Sequence, residues 1–459
     1  MKPAFHSIFA ALAAATVLSG CAENKPYRLL GIDDAARYYS DQKPWFESVP
    51  VSDERNYRIS FVEFDERGDF WDRGQLRETA RAIEHTRKPV LLVTYIHGWH
   101  HNANDRKPGG QNPGDVQTFR CLLSELAVSE STKDYQVHGV YLGWRGRLIE
   151  GPLDYLTFLD RKAAATRIAG TPVTETIFEL IRQARKNQKS KCVVIGHSFG
   201  ALLLEKAMAQ AMTGRIIAQP QPGSNEPFKP VADLILLVNS AAESLYAKEM
   251  TDMFNRIGYR DRAGNLPLLI SITSKGDTAT HGWFPVGTFF PNLFAHREYH
   301  WGHHYDRASD ETDQNVYLTK TPGNNPLLFT HCVDDKLTKE PPALSAEAVA
   351  RLRVEVQQGD CAITEPINPA FEYNLGHVTK DWIFATSLTN NPEHFKWWQV
   401  HPYRPDKRTP YWILQVPKAI IPNHTPIFTP EGRAMMAALF KIANPSEESR
   451  AFIQTAQTD

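Results

Sequence analysis

Apolar residues along this chain gather into short runs, and the stretches between them carry helical periodicity. Lys88 to Ile96 (KPVLLVTYI) is strongly apolar and short, as a buried strand should be. Tyr57 to Phe64, Val137 to Trp144, Lys191 to Ile195, Asp233 to Asn239, Pro267 to Ser274 and Tyr411 to Val416 read the same way. Between them lie helical segments from Gln75 to Glu84, Gln117 to Leu126 and Ala201 to Met212. Thr171-Pro172 is a helix start with Thr as cap; Val173, Ile177, Leu180, Ile181 and Ala184 then recur on one face. Thr429-Pro430 repeats that signal ahead of Ala434, Met435, Ala438, Leu439 and Ile442. Strand and helix alternate, which predicts an α/β fold: a mostly parallel sheet with helices on both faces.

The strand at Cys192–Ile195 runs directly into Gly196-His197-Ser198-Phe199-Gly200, and a helix follows at once. Strand, G-x-S-x-G and helix together make a nucleophile elbow, with Ser198 in a sharp, strained turn and its hydroxyl pushed out above the sheet. The bland alternative is a glycine-bounded strand–helix turn. The strand at Lys88–Ile96 runs into His97-Gly98-Trp99-His100-His101. A metal reading of these histidines lacks a carboxylate or any further ligand spacing. The strand ending at Ser274 runs into Lys275-Gly276-Asp277.

These stretches resemble the α/β-hydrolase family, in which the chain order is nucleophile, acid, then histidine base. The resemblance implies Ser198 as nucleophile and Asp277 as the acid that orients the base. His424, between the last strand and the last helix, stands where the family places its base. His377, in Asn374-Leu375-Gly376-His377-Val378, is the competing candidate. The backbone N–H groups of Trp99 and Phe199 would form the oxyanion hole. Plain alternatives remain at each position: Asp277 as a turn residue, and either histidine as a loop side chain bonded to backbone.

Residues 57–278 and 410–459 form the expected core, and 279–409 is an insertion rich in Trp, Phe, Tyr, His and Pro placed between acid and base. That position suggests a cap or lid that shapes an acyl pocket; an insertion that merely packs on the core is the alternative. His300, His303, His304 and Asp306 lie within it, without a spacing that argues for a metal.

The N-terminus changes the setting. Lys2, an apolar run from Ile8 to Leu18, and Leu18-Ser19-Gly20-Cys21 resemble a bacterial lipoprotein signal, with residues 1–20 removed and Cys21 lipidated. Residues 21–56 would then be a lipid-anchored tether and surface wrapping, with the anchor in a membrane of the bacterial cell envelope. In an exported protein Cys121, Cys192, Cys332 and Cys361 could pair, and Cys332 with Cys361 is the first choice because both fall in one loop-rich region. With 51 basic against 52 acidic residues, nothing points to a nucleic-acid partner.

The family resemblance implies a serine esterase or lipase that works through an acyl-enzyme on Ser198 and needs no cofactor or metal. Its substrate would be a small-molecule or lipid ester. A thioesterase or amidase uses the same machinery. A reading from another class is an envelope lipoprotein that binds a partner through its aromatic insertion, without turnover.

Overall fold

The computed structural model describes residues 24–30, 43–104, 114–129, 132–149, 154, 157–218, 230–256, 266–284, 315–335, 355–358, 361–364, 382–387, 395–403 and 409–444. Cys21, His377 and the histidines at 300, 303 and 304 lie outside them.

The central strands are β1 (Phe46–Pro50), β2 (Asn56–Glu63), β3 (Val90–Ile96), β4 (Gln136–Gly143), β5 (Lys191–His197), β6 (Leu234–Val238), β7 (Leu269–Ser274), β8 (His331–Asp334), β9 (Trp382–Ser387), β10 (Phe395–Pro402) and β11 (Tyr411–Val416). They form one 11-stranded sheet in the order β9-β10-β8-β11-β7-β6-β5-β3-β4-β2-β1. From β8 across to β2 every neighbouring pair is parallel. Only β1 at one edge and β10 and β9 at the other run antiparallel to their neighbours. The fold is thus α/β with a mostly parallel sheet.

Helices cover both faces. On one lie α1 (Arg73–Glu84), α3 (Phe158–Ile168), α4 (Thr171–Ala184), α5 (Phe199–Ile217) and α6 (Ser244–Arg256). On the other lie α2 (Asp115–Val128) and α7 (Pro430–Ala443). Strands buried on both faces have no polar alternation, which is why β3 and β6 are apolar almost throughout. In α7, Thr429 caps as expected, its hydroxyl oxygen accepting from Gly432 N–H at 3.0 Å. In α4 the cap is Gly170, not Thr171, and no side chain caps the helix.

Residues 24–30 and 43–56, expected as tether and surface wrapping, lie packed on the core. Strand β1 pairs with β2, and Arg28 is fully buried, its guanidinium 3.7 Å from the centre of the Phe61 ring and 3.0 Å from Glu47. An aperiodic polar stretch hides such a role because a single guanidinium, not an apolar stripe, holds it down. Strands β8, β9 and β10 come from residues 279–409 and extend the sheet. Trp398 and Val400 of β10 are buried in the second core.

The cysteine pairing is overturned. Cys121, on α2, is disulfide-bonded, whereas Cys332 and Cys192 are free thiols. Cys332 belongs to a strand of the central sheet, and closeness in sequence to Cys361 did not pair the two. Among the described residues no helix is long and apolar enough to cross a membrane.

Candidate active site

Parallel strands in register end together. Ile96 of β3 pairs with Gly196 of β5, His197 with Val238 of β6, and Ser274 of β7 with Val416 of β11. The loops leaving these ends converge over the C-terminal ends of the central strands, the place where an open parallel sheet forms its clefts.

Ser198 is the turn between β5 and α5. Its φ is 55°, a left-handed conformation that costs a residue with a Cβ. The turn is held because Ser198 N–H donates to Val238 O at 3.0 Å, and Ser198 O accepts from Ala201, Leu202 and Ala241 N–H. Gly200 is dictated by close approach, since a Cβ there would stand 2.2 Å from Ile96 O and 2.4 Å from His97 O. At Gly98 a Cβ would come within 2.8 Å of Ser198 Cβ. The two loops therefore touch at the serine itself.

The structure brings Ser198, His424 and Asp277 into one row. His424 Nδ1 lies 2.9 Å from Asp277 Oδ2 and His424 Nε2 lies 2.8 Å from Ser198 Oγ. A carboxylate can only accept, so Nδ1 carries the proton and Nε2 is left bare toward the serine hydroxyl. The Asp277 side chain is fully buried and that of His424 is 22% exposed. Asp277 Oδ1 accepts from Ala279 and Thr280 N–H at 3.0 Å each, and Oδ2 accepts from the Thr280 hydroxyl at 2.6 Å. Burial alone would raise this carboxyl. The adjacent His424, with the Thr280 bonds, outweighs burial and holds it below the usual carboxylate range.

His97 sits under the loop that follows β3. Its Nε2 accepts from Trp144 N–H at 3.0 Å, so its Nδ1 carries the proton and donates to Gly98 O at 2.9 Å. The ring lies parallel to Trp144, with centroids 5.5 Å apart. Burial drives its pKa down to about 4, so the ring is neutral. Beyond Gly98, the Trp99 ring meets Phe158 at 5.5 Å and Phe199 at 6.0 Å, and Phe158 meets Phe199 at 5.2 Å. These three form an apolar wall beside the serine turn.

Sequence reasoning did not single out Thr280, Asn239 or the role of His197, all of which contact the row or its backbone. Asn239 carried a readable signal: Asn follows an apolar strand end, where it tolerates the left-handed turn it adopts at φ 48°. Among the described residues, no group of three or more His, Cys, Asp and Glu side chains is placed to hold a metal ion.

No family model matches this chain, and no curated protein matches it. One solved structure, described as a YdeN-like hydrolase from Pectobacterium atrosepticum, is 14% identical and covers 44% of this chain and 71% of its own, with a TM-score of 0.15. A likeness of that size carries no argument about fold or function.

Proposed function

We propose that this protein is a serine hydrolase of the α/β-hydrolase kind, cleaving carboxylic esters, lipid esters among them, through an acyl-enzyme on Ser198. The observation that carries the reading is the hydrogen-bonded row from Asp277 through His424 to Ser198. A serine hydroxyl is a weak nucleophile until a base takes its proton, and the row offers a base with its tautomer fixed.

In the first half of the reaction Ser198 Oγ attacks the ester carbonyl carbon while its proton passes to His424 Nε2. The carbonyl oxygen becomes an oxyanion, held by the N–H groups of Phe199 and Trp99. Two features support those donors. Phe199 opens α5, where no carbonyl of the helix itself can accept its N–H. The Gly98 carbonyl and the Trp99 N–H belong to one planar peptide, so the bond from His97 to that carbonyl sets the direction of the N–H. The intermediate collapses, and the leaving alcohol departs with the proton from His424. Water then repeats the sequence on the acyl-enzyme and frees the acid. The steps call on no cofactor.

Labelling with a fluorophosphonate tests this. Wild-type protein should be modified at Ser198 and lose turnover of p-nitrophenyl esters, and Ser198→Ala should do neither. Labelling that persists in Ser198→Ala would sink the reading. A panel of ester, thioester and amide substrates then decides the class. For location, the proposal is a lipid anchor on Cys21 in the bacterial envelope. Cys21→Ala should shift the chain from the membrane to the soluble fraction, and an unchanged membrane fraction would refute the anchor.

A further inference from the structure

The elbow histidine has no step in that reaction, yet it is buried against the base. His197 is 1% exposed, and its Nε2 stands 2.8 Å from the carbonyl oxygen of His424. A carbonyl only accepts, so Nε2 donates and Nδ1 is bare; Nδ1 meets no hydrogen-bond partner among the described residues. The same carbonyl accepts a second bond, from Asn239 Nδ2 at 2.9 Å, and that amide also reaches Asn423 O at 3.2 Å. Asn239 is fully buried, and its Oδ1 accepts from Ser274 N–H at 2.9 Å. Ser274 in turn donates its hydroxyl to Ile421 O at 2.5 Å. The nucleophile turn, the strand end before the acid and the base loop are therefore tied together around one carbonyl.

On the reading of Ser198 as nucleophile and His424 as base, we propose that His197 and Asn239 are positioning residues that clamp the His424 carbonyl and so keep its ring in line with Ser198 Oγ. The need for a clamp follows from where His424 sits. Ser198 directly follows a strand and Asp277 closely follows one, but His424 lies well along the loop after β11, and its ring is partly open to solvent. The bonds to Asp277 and Ser198 hold the two ring nitrogens, but the ring still moves with its own backbone. Two donors on the carbonyl remove that freedom from below.

The clamp also adds no charge. The His197 ring centre is 5.2 Å from that of His424, which becomes positive during turnover. The titratable groups acting on His197 are His424, Asp115 and His101. Burial outweighs them and depresses its pKa to about 3, so it stays a neutral donor throughout. A lysine or arginine in its place would repel the imidazolium that the reaction must form.

The test compares His197→Phe, which keeps an aromatic ring and removes the donor, with His197→Gln, which restores an N–H near the same point. Turnover of a p-nitrophenyl ester and the rate of fluorophosphonate labelling are both read. His197→Phe should lower kcat by about 10²-fold with KM little changed, the expected cost of misplacing a catalytic group by an ångström or so. His197→Gln should recover most of that loss. A His197→Phe protein that labels and turns over like wild type overturns the clamp while leaving the Ser198 reading intact. If wild type itself resists labelling, the Ser198 reading fails and takes the clamp with it. Should His197→Phe not fold, Asn239→Asp carries the test, because a carboxylate facing the His424 carbonyl can no longer donate. Its kcat should drop at constant KM, and an unchanged kcat would overturn the proposal.

Discussion

The Thr280 hydroxyl donates at 2.6 Å to Asp277 Oδ2, the same carboxylate oxygen that faces His424 Nδ1. Thr280 Oγ1 in turn accepts from Asn324 Nδ2 at 3.1 Å. The Asp277 carboxylate is thus held by an ordered chain of donors, not by the histidine alone. Thr280→Val preserves shape and deletes the hydroxyl. Losing a donor leaves the carboxylate more basic, so it protonates more readily and the acidic limb of the kcat/KM profile moves to higher pH. Turnover should also fall by about 10- to 100-fold, the equivalent of losing one hydrogen bond to a charged group. An acidic limb that stays in place or moves to lower pH contradicts this account.

What could be read in advance was what depends on local pattern. Strands β3, β5, β6, β7 and β11 are apolar because both faces are covered, and the candidate site residues follow their ends. Less was visible where tertiary context decides. Helix α3 was missed because Asp160, Arg161 and Lys162 mask the small buried face of Ala164, Ala165 and Ile168. Strand β8 has four residues and no period of its own; it is a strand because β11 and β10 flank it. Arg28 and the clamp at His424 depend on partners far away in sequence, which no local window contains.

The cysteines offer a direct check on the packing. Cys192 is buried and its thiol is pushed up to about 12 by that burial, whereas Cys332 is partly exposed and raised less. A maleimide added to native protein should therefore modify Cys332 slowly and spare Cys192 until the chain unfolds. Cys121 should react only after reduction. Peptide mapping by mass spectrometry reads all three sites, and native labelling at Cys192 would contradict the buried strand start.

Glu205, on α5 behind the elbow, is a buried carboxyl with no cation beside it among the described residues. Tyr411 donates to its Oε1 at 2.8 Å and Ser240 to its Oε2 at 3.4 Å, yet burial dominates and raises its pKa from 4.5 to about 7. Across that window the folded state binds more protons than the unfolded one, so stability declines as pH rises toward 7 and then levels off. The shift is worth on the order of a few kcal/mol. Glu63, also buried, is raised to about 7 as well and contributes in the same direction. Glu205→Gln keeps an acceptor for Tyr411 and removes the ionisation. It should flatten the dependence of Tm on pH and raise Tm above about pH 7. A variant with an undiminished slope would place the titration elsewhere.

Arg433 of α7 and Glu125 of α2 pair side chain to side chain across the second face of the sheet, each 5% exposed. The Arg433 NH1 group also donates to Phe428 O at 2.7 Å, which ties the pair to the loop between the base and α7. Burial raises the Glu125 carboxyl and Arg433 opposes that rise. Removing one partner strands the other as an unpaired charge in an apolar layer, a loss of about 3–5 kcal/mol. Replacing both with apolar residues of similar size should cost far less. Chemical denaturation of Arg433→Met, Glu125→Leu and the double variant measures the coupling. The single variants should be strongly destabilised and the double variant should recover much of the loss. Because α7 follows the loop that carries His424, the single variants should also lose turnover at temperatures well below their unfolding midpoints, and the double variant should regain it. Turnover that tracks only the fraction of folded protein would show that the pair anchors α7 without bearing on the base.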